Sequence, residues 1–302
     1  MKNNYILIVL LFPLVVLAQP QGKLFIHSGF VSGSELGFIQ YPQNLYHFID
    51  SIDLDDMLVV NDQLLVSNDK IYFYDIAALA KIDSINTNNA YLMDYDNNRL
   101  VVAKMEAPFL EVYNLSSKNL IFSLNANKVK SQPIDILIDM DRAYLLYDTS
   151  LVVVDLNLQD TIATIATASQ NFFPAYNQYL INKGNKVYID VEFATGAPRF
   201  SILSLDKSTL QLENVLFYEF VDTPFEPVLA GNKLYMSFFP SYYDIAVDTF
   251  VYFQNSNTTY PLCYDVNSNT IFLYQPSNFN VNYFNNNTYS VLFVLFTTDK
   301  YF

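Results

Sequence analysis

A short polar turn recurs six times along the chain, at Asn61-Asp62, Asn97-Asn98, Asp141-Arg142, Gly184-Asn185, Gly231-Asn232 and Ser268-Asn269, each time between two apolar segments. The spacing from turn to turn runs from 36 residues (Asn61 to Asn97) to 47 (Gly184 to Gly231). Two-residue turns of Asn, Asp or Gly are the strongest local signal for an antiparallel hairpin, because these residues accept the positive φ that strand twist requires. A third strand follows in most units: Ile71 to Asp75, Leu110 to Asn114, Leu151 to Asp155, Phe200 to Leu205 and Phe250 to Gln254. Most of these end at Asp or Asn, which opens a polar turn into a fourth strand such as Ile82 to Ile85, Leu120 to Leu124 or Thr161 to Ile165. Four strands per period of about 40 residues is the signature of a propeller blade.

The sequence therefore predicts an all-β protein, a β-propeller of six or seven four-stranded antiparallel blades. Six units carry the turn, and a partial unit from Lys23 to Ile52 holds three apolar pieces, Leu24-Phe25-Ile26, Leu36 to Tyr41 and Tyr46 to Ile49. The segment Tyr289 to Phe296 is expected to cross over and complete the first unit, closing the ring and removing exposed sheet edges. A β-sandwich would supply many strands but not the same turn six times, and a helical or leucine-rich solenoid needs helix-length segments. Residues 19–302 read as a single domain, long enough for a sizeable core.

Composition supports strands. Tyr (24) and Phe (25) are abundant and charged residues are scarce at 15%, while Trp is absent and Gly numbers only 7, so turns must rely on Asn and Asp. The formal charge is −14, or −15 without residues 1–18, where Lys2 is the only charged residue. Such a chain repels phosphate backbones, and no basic cluster offsets this, which argues against nucleic-acid binding. Cys263 is alone, so neither an intramolecular disulfide nor a metal site of several thiolates can form.

Met1 to Ala18 reads as a secretory signal peptide, with Lys2 as its positive start, an apolar run from Tyr5 to Leu17, and Val16-Leu17-Ala18 before a cut at Gln19. The run is interrupted by Pro13 and is shorter than the roughly 20 residues a membrane-spanning helix needs. The mature chain is thus expected to be exported (periplasmic, on the cell surface or secreted) and not membrane-spanning. The opening MKNN, with its apolar run ending in LAQ, resembles the start of exported proteins of flavobacteria and their relatives. In architecture the mature chain resembles exported bacterial β-propeller repeat proteins, including the surface-layer type with YVTN repeats. It departs from each known motif: there is no YVTN tetrapeptide, no Trp-Asp pair, no Gly-Gly of kelch repeats and no Asp-box.

Chemistry-bearing residues are few. His27 and His47 are the only histidines, which argues against a His-based metal site or a Ser-His-Asp triad. Asp94 to Asn98 begins like a calcium loop, but Arg99 stands where Gly is needed and Met105 where a bidentate Glu is needed, so it reads as a structural turn. Asp50, Asp53, Asp55 and Asp56 read as a solvated acidic loop. Asn114, Asn257 and Asn286 match the N-glycosylation pattern by residue type. No metal or cofactor is implied.

In a four-stranded meander the first-to-second and third-to-fourth turns share one end of the blade, and the second-to-third loops share the other. The longer, variable loops 104–108, 193–199 and 238–248 are expected at that second end, where function tends to sit. That face nominates Glu106, Asp148, Glu192, Arg199, Tyr242, Tyr243 and Asp244 as ligand-binding residues. The leading expectation is a non-catalytic module of the cell envelope that binds a protein, peptide or glycan. The alternatives are a propeller hydrolase or lyase using carboxylates and tyrosines, and a structural module of a surface assembly.

Overall fold

The computed structural model describes residues 22–30, 33–41, 45–167, 175–193, 199–218, 228–236, 241–247, 249–252, 260–265, 269–275, 280–285 and 291–296. Its regular structure is all strand. The first sheet comprises β1 (Gly22–Phe30), β2 (Gly33–Tyr41) and β3 (Leu45–Asp50). The second is β4 (Asp56–Val60), β5 (Gln63–Ser67), β6 (Ile71–Asp75) and β7 (Ala80–Ile85). The third is β8 (Ala90–Asp96), β9 (Arg99–Lys104), β10 (Leu110–Asn114) and β11 (Asn119–Leu124). The fourth is β12 (Asp135–Asp139), β13 (Arg142–Tyr147), β14 (Ser150–Asp155) and β15 (Asp160–Ala166). The fifth is β16 (Ala175–Lys183), β17 (Lys186–Phe193), β18 (Arg199–Asp206) and β19 (Leu212–Tyr218). The sixth is β20 (Val228–Ala230), β21 (Lys233–Met236), β22 (Ser241–Asp244) and β23 (Thr249–Tyr252). The last is β24 (Tyr260–Asp265), β25 (Thr270–Gln275), β26 (Asn280–Asn285) and β27 (Val291–Phe296).

Each sheet is an antiparallel meander in chain order, and the first strands of successive sheets, β4, β8, β12 and β16, pack against one another. That places the first strand innermost and the fourth outermost, the arrangement of a propeller blade. The middle strands lie between two neighbouring sheets, so their sequences are continuous apolar runs: Leu100 to Ala103, Ala143 to Tyr147 and Leu151 to Val154 are buried throughout. The outer strands β7 and β11 are largely exposed and correspondingly polar or mixed. The core is a series of inter-sheet layers. One joins Phe73, Leu65 and Ile71 to Leu100 and Val102, another joins Val101, Leu110 and Val112 to Ile136, Leu145 and Val152. A third sets Tyr144, Leu146 and Val153 against Val187, Ile189 and Leu205. Each fully buried aliphatic side chain contributes about 1.5–3 kcal/mol of transfer free energy.

Two turn devices repeat. At the first turn, Asn61 (φ 54°), Asn97 (φ 46°), Gly184 (φ 57°) and Gly231 (φ 65°) hold the left-handed conformation. At the second, the residue closing the third strand caps its own turn. Asp75 accepts from the Ala78 N–H (2.6 Å), Asn114 from Ser117 (2.9 Å), Asp155 from Leu158 (2.8 Å), Asp206 from Thr209 (2.9 Å) and Asp244 from Ala246 (3.0 Å). The next residue then ties the two turns together: the N–H groups of Ile76, Leu115, Leu156, Lys207 and Ile245 donate to the carbonyls of Asp62, Asn98, Asp141, Asn185 and Asn232.

Four expectations are corrected, the first being the third strand of the sixth sheet, which is β22 (Ser241–Asp244), while Phe250 belongs to the fourth, β23. The third hairpin turn is Met140-Asp141, not Asp141-Arg142, because Asp139 pairs with Arg142 and Met140 takes the positive φ of 53°. The described part of the closing segment, Val291–Phe296, does not complete the first sheet: β27 pairs with β26 as the outer strand of its own sheet. The complete blade signature of both turns occurs in five sheets, β4 to β23, rather than in six or seven. The first sheet has three strands, and most turn residues of the last lie outside the described residues, as do residues 1–18 and Asn257 and Asn286.

The innermost strands leave an edge of backbone N–H groups with no fifth strand to pair with, and aspartates meet it. Asp56 Oδ2 accepts from Met93 N–H (2.7 Å), Asp94 Oδ2 from Ile138 (2.6 Å) and Asp135 Oδ2 from Leu180 (2.6 Å), each reaching the next sheet. The other oxygen of each accepts the N–H of the following residue at 2.7 Å. Asp50 and Asp56 are therefore not simply solvated: Asp50 accepts from the Tyr74 hydroxyl (2.7 Å), and Asp56 is the first clamp. Burial pushes the Asp94 carboxyl up to about 6, against the pull of its two backbone donors and with a smaller push from Asp96.

Two outcomes follow for Asp94. Replacing it with Ala strands two backbone donors, at about 1–3 kcal/mol each, so urea unfolding of D94A should show a loss of about 2–6 kcal/mol. Its folded value exceeds the unfolded one near 3.8, so the folded state holds the extra proton between the two. Its share of stability is thus largest below pH 4, declines as pH rises through about 6, and is flat above. Carboxyl ¹³C titration should place its midpoint near 6.

Candidate functional site

Two clefts lined by described residues open on the short-turn face, between adjacent sheets. One of about 490 Å³ lies between the second and third sheets, lined by Asn61, Asp62, Gln63, Tyr95, Asn98, Leu115, Ser116 and Lys118. A second, of about 410 Å³, lies between the fourth and fifth. The two are built from the same blade positions. Met140 stands where the first has Asn61, Asp141 where it has Asp62, Arg142 where it has Gln63, Asn185 where it has Asn98, and Lys207 where it has Leu115. The first cleft is what the repeat makes by itself. The second is a polar version of it.

Lys207 is the sharpest departure. The corresponding residue is Ile76, Leu115, Leu156 or Ile245 in the other four signature sheets, an apolar plug under the capped turn. Lys207 is 9% exposed and holds three acceptors, Asp139 Oδ2 at 2.8 Å, Asn182 Oδ1 at 2.6 Å and the Gly184 carbonyl at 2.6 Å. Desolvating an ammonium costs several kcal/mol, which such contacts offset only when geometry is good. Arg142 crosses the same seam and donates to the Lys207 carbonyl. It also lies against Tyr144, a fully buried ring whose hydroxyl is pushed up by burial and drawn back by the guanidinium. From the third sheet Arg99 reaches Asp141 Oδ1 (3.0 Å) and Asn157 Oδ1 (3.0 Å).

The carboxylates around this cleft are engaged. Asp139 holds Lys207, Asp141 holds Arg99, and Asp155 caps its turn. Asp206, beneath Ser208, is lowered to about 2 by the Ser208 hydroxyl and then the Thr209 and Ser208 N–H groups. These contacts hold the charged side chains of the cleft in place. A separate buried ion pair, Lys104 with Glu111 at 2.9 Å, is closed on itself, since the Tyr113 hydroxyl donates to the second Glu111 oxygen (2.6 Å). Burial and that hydrogen bond raise Tyr113. Among the described residues no three His, Cys, Asp or Glu side chains are grouped to hold a metal ion. His47 stacks on Phe38 with ring centroids 4.7 Å apart.

The residues nominated from sequence are not gathered in one place. Glu106 and Asp148 are exposed in the β9–β10 and β13–β14 connections, on the long-loop face of adjacent sheets. Glu192 and Arg199 are strand residues at facing ends of β17 and β18, one register apart. Tyr242, Tyr243 and Asp244 form strand β22 rather than a loop. The two rings are 8% and 3% exposed and pack in inter-sheet layers, and Asp244 caps the turn on the opposite face. An aromatic run flanked by Pro240 and Asp248 is open to either reading; the turn-capping Asp244 was the signal for a strand end.

No family model matches the chain, and no curated protein matches it. Solved structures do. A chain of Kuenenia stuttgartiensis hydrazine synthase is similar with a TM-score of 0.67 at 12% identity, covering 87% of this chain and 92% of that one. A chain from a mitotic checkpoint complex gives 0.62 at 10%, covering 86% and 82%. The Myceliophteria thermophila Cps50 (Swd1) β-propeller domain gives 0.62 at 11%, covering 88% and 97%. At these identities the likeness is one of fold, and that fold is the β-propeller.

Two variants test the cleft. D139A leaves Lys207 buried without its carboxylate and should cost about 3 kcal/mol. The pair D139N/K207I, which restores the apolar plug, should lie within about 1 kcal/mol of the wild type in urea unfolding.

Proposed function

We propose that this chain is an exported, non-catalytic β-propeller that holds a protein partner at the cell envelope through its short-turn face. The observation that carries this reading is the placement of exposed apolar side chains. The three most exposed large apolar residues among those described are Met140 (71%), Leu158 (70%) and Val247 (66%), and all three sit in turns of that face. Turns gain nothing intramolecular from such residues, and Met beside Arg is a composition enriched in protein interfaces. Other exposed apolar residues, such as Phe48, Ile82 and Leu120, are spread over the outer strands of different sheets.

Export is supported by the charge and apolar pattern of residues 1–18. That one similar fold belongs to a multi-chain complex is consistent with a scaffold role, though it concerns that protein. A second surface is the long-loop face, where Glu106 and Asp148 are exposed beside Met105.

Affinity capture from an envelope extract separates the two faces. The M140D/L158D variant should lose the partner that the wild type recovers, with an unchanged melting temperature, while E106A/D148A should retain it. Recovery by M140D/L158D equal to wild type would contradict the turn-face reading. N-terminal sequencing of the exported protein should begin at Gln19.

A further inference from the structure

We propose that the cleft between the fourth and fifth sheets receives an acidic peptide segment of the partner, with its carboxylate on Arg142 and a neighbouring apolar side chain against Met140. This rests on the protein-binding reading above and specifies its chemistry. In a chain of repeated blades, packing sets most positions, so side chains that break the repeat are there for another reason. Two such breaks, Met140 and Lys207, meet at one seam with Arg142 between them.

Met140 occupies a turn position that Asn or Gly fills elsewhere, at a φ of 53° that strains a Cβ-bearing, non-Asn residue. At 71% exposure it offsets none of that strain by packing. Lys207 occupies an apolar position, and its ammonium neutralises Asp139. Because Asp141 is taken by Arg99, Arg142 is left in the cleft without a carboxylate partner among the described residues. A guanidinium offers a planar fork of donors matched to a carboxylate.

The charge of the ligand follows from the rim. Asp139, Asp141 and Asp155 all line the cleft, so a doubly charged phosphate is opposed more strongly than a single carboxylate. A peptide rather than a small acid is favoured because Met140 forms the lip and Leu158 is exposed in the same sheet's second turn. Only a ligand with an apolar flank covers them.

The test is to pan a displayed random heptapeptide library on the mature chain, then measure a selected peptide by fluorescence anisotropy. The expected result is enrichment of Asp or Glu beside an apolar residue. Changing that acid to its amide, or Arg142→Gln in the protein, should each weaken binding at least tenfold, and combining them should add little. Arg142→Gln, which also gives up the bond to the Lys207 carbonyl, should still melt in one cooperative transition above the assay temperature. Selected peptides without an acid, peptides bound equally by R142Q, no enrichment at all, or glutarate binding as tightly as the peptide would each overturn the proposal. Envelope capture of a partner equally by wild type and R142Q, but not by M140D/L158D, would sink this inference while leaving the protein-binding reading standing.

Discussion

The fold depends on how the innermost strands satisfy an edge that no further strand can pair. A blade of four strands ends at the axis with unpaired N–H groups, and an unpaired edge is both costly when buried and a template for aggregation. Asp56, Asp94 and Asp135 answer this by bridging: one carboxylate oxygen serves the strand that carries it and the other serves the next sheet. The bond that satisfies the edge is therefore also the bond that sets one sheet against the next. Apolar layers between sheets supply most of the stabilisation, but they are not directional. The carboxylates fix the angle and register at which those layers meet.

The architecture was legible because its grammar is local. Asn61, Asn97, Gly184 and Gly231 announce hairpins by their backbone tolerance, and the Asp or Asn closing each third strand announces a capped turn. What was not legible was the role of residues whose partners lie a blade away. Asp56 looked like part of a solvated acidic loop and Asp94 like part of a hairpin turn, since their acceptor role depends on strands 37 and 44 residues distant. A signal was present: an aspartate recurs on the inner strand at Asp56, Asp94 and Asp135, three to five residues before the turn. Loop length nominated the long-loop face, and the two clefts described on the other face formed where short turns of adjacent sheets fail to fill the seam between them.

Repetition makes departures readable once the blades are superposed position by position. Leu115 and Lys207 hold the same place, as do Asn61 and Met140, and one seam is plain where the other is charged and lipped by an apolar side chain. A propeller tolerates such changes because each seam is a separate packing unit, and a wedge altered on its outer turn leaves the buried strands of its neighbours untouched. The same feature explains why fold alone says little about activity in this architecture.

Amide hydrogen exchange read residue by residue tests the central claim most directly. If inner-strand aspartates bind each sheet to the next, the amides of Met93, Ile138 and Leu180 exchange as slowly as ladder amides such as Val101 and Val153, although no strand pairs with them on that side. Exchange of these three at the rate of open turn amides, with the ladder amides still protected, would contradict the account.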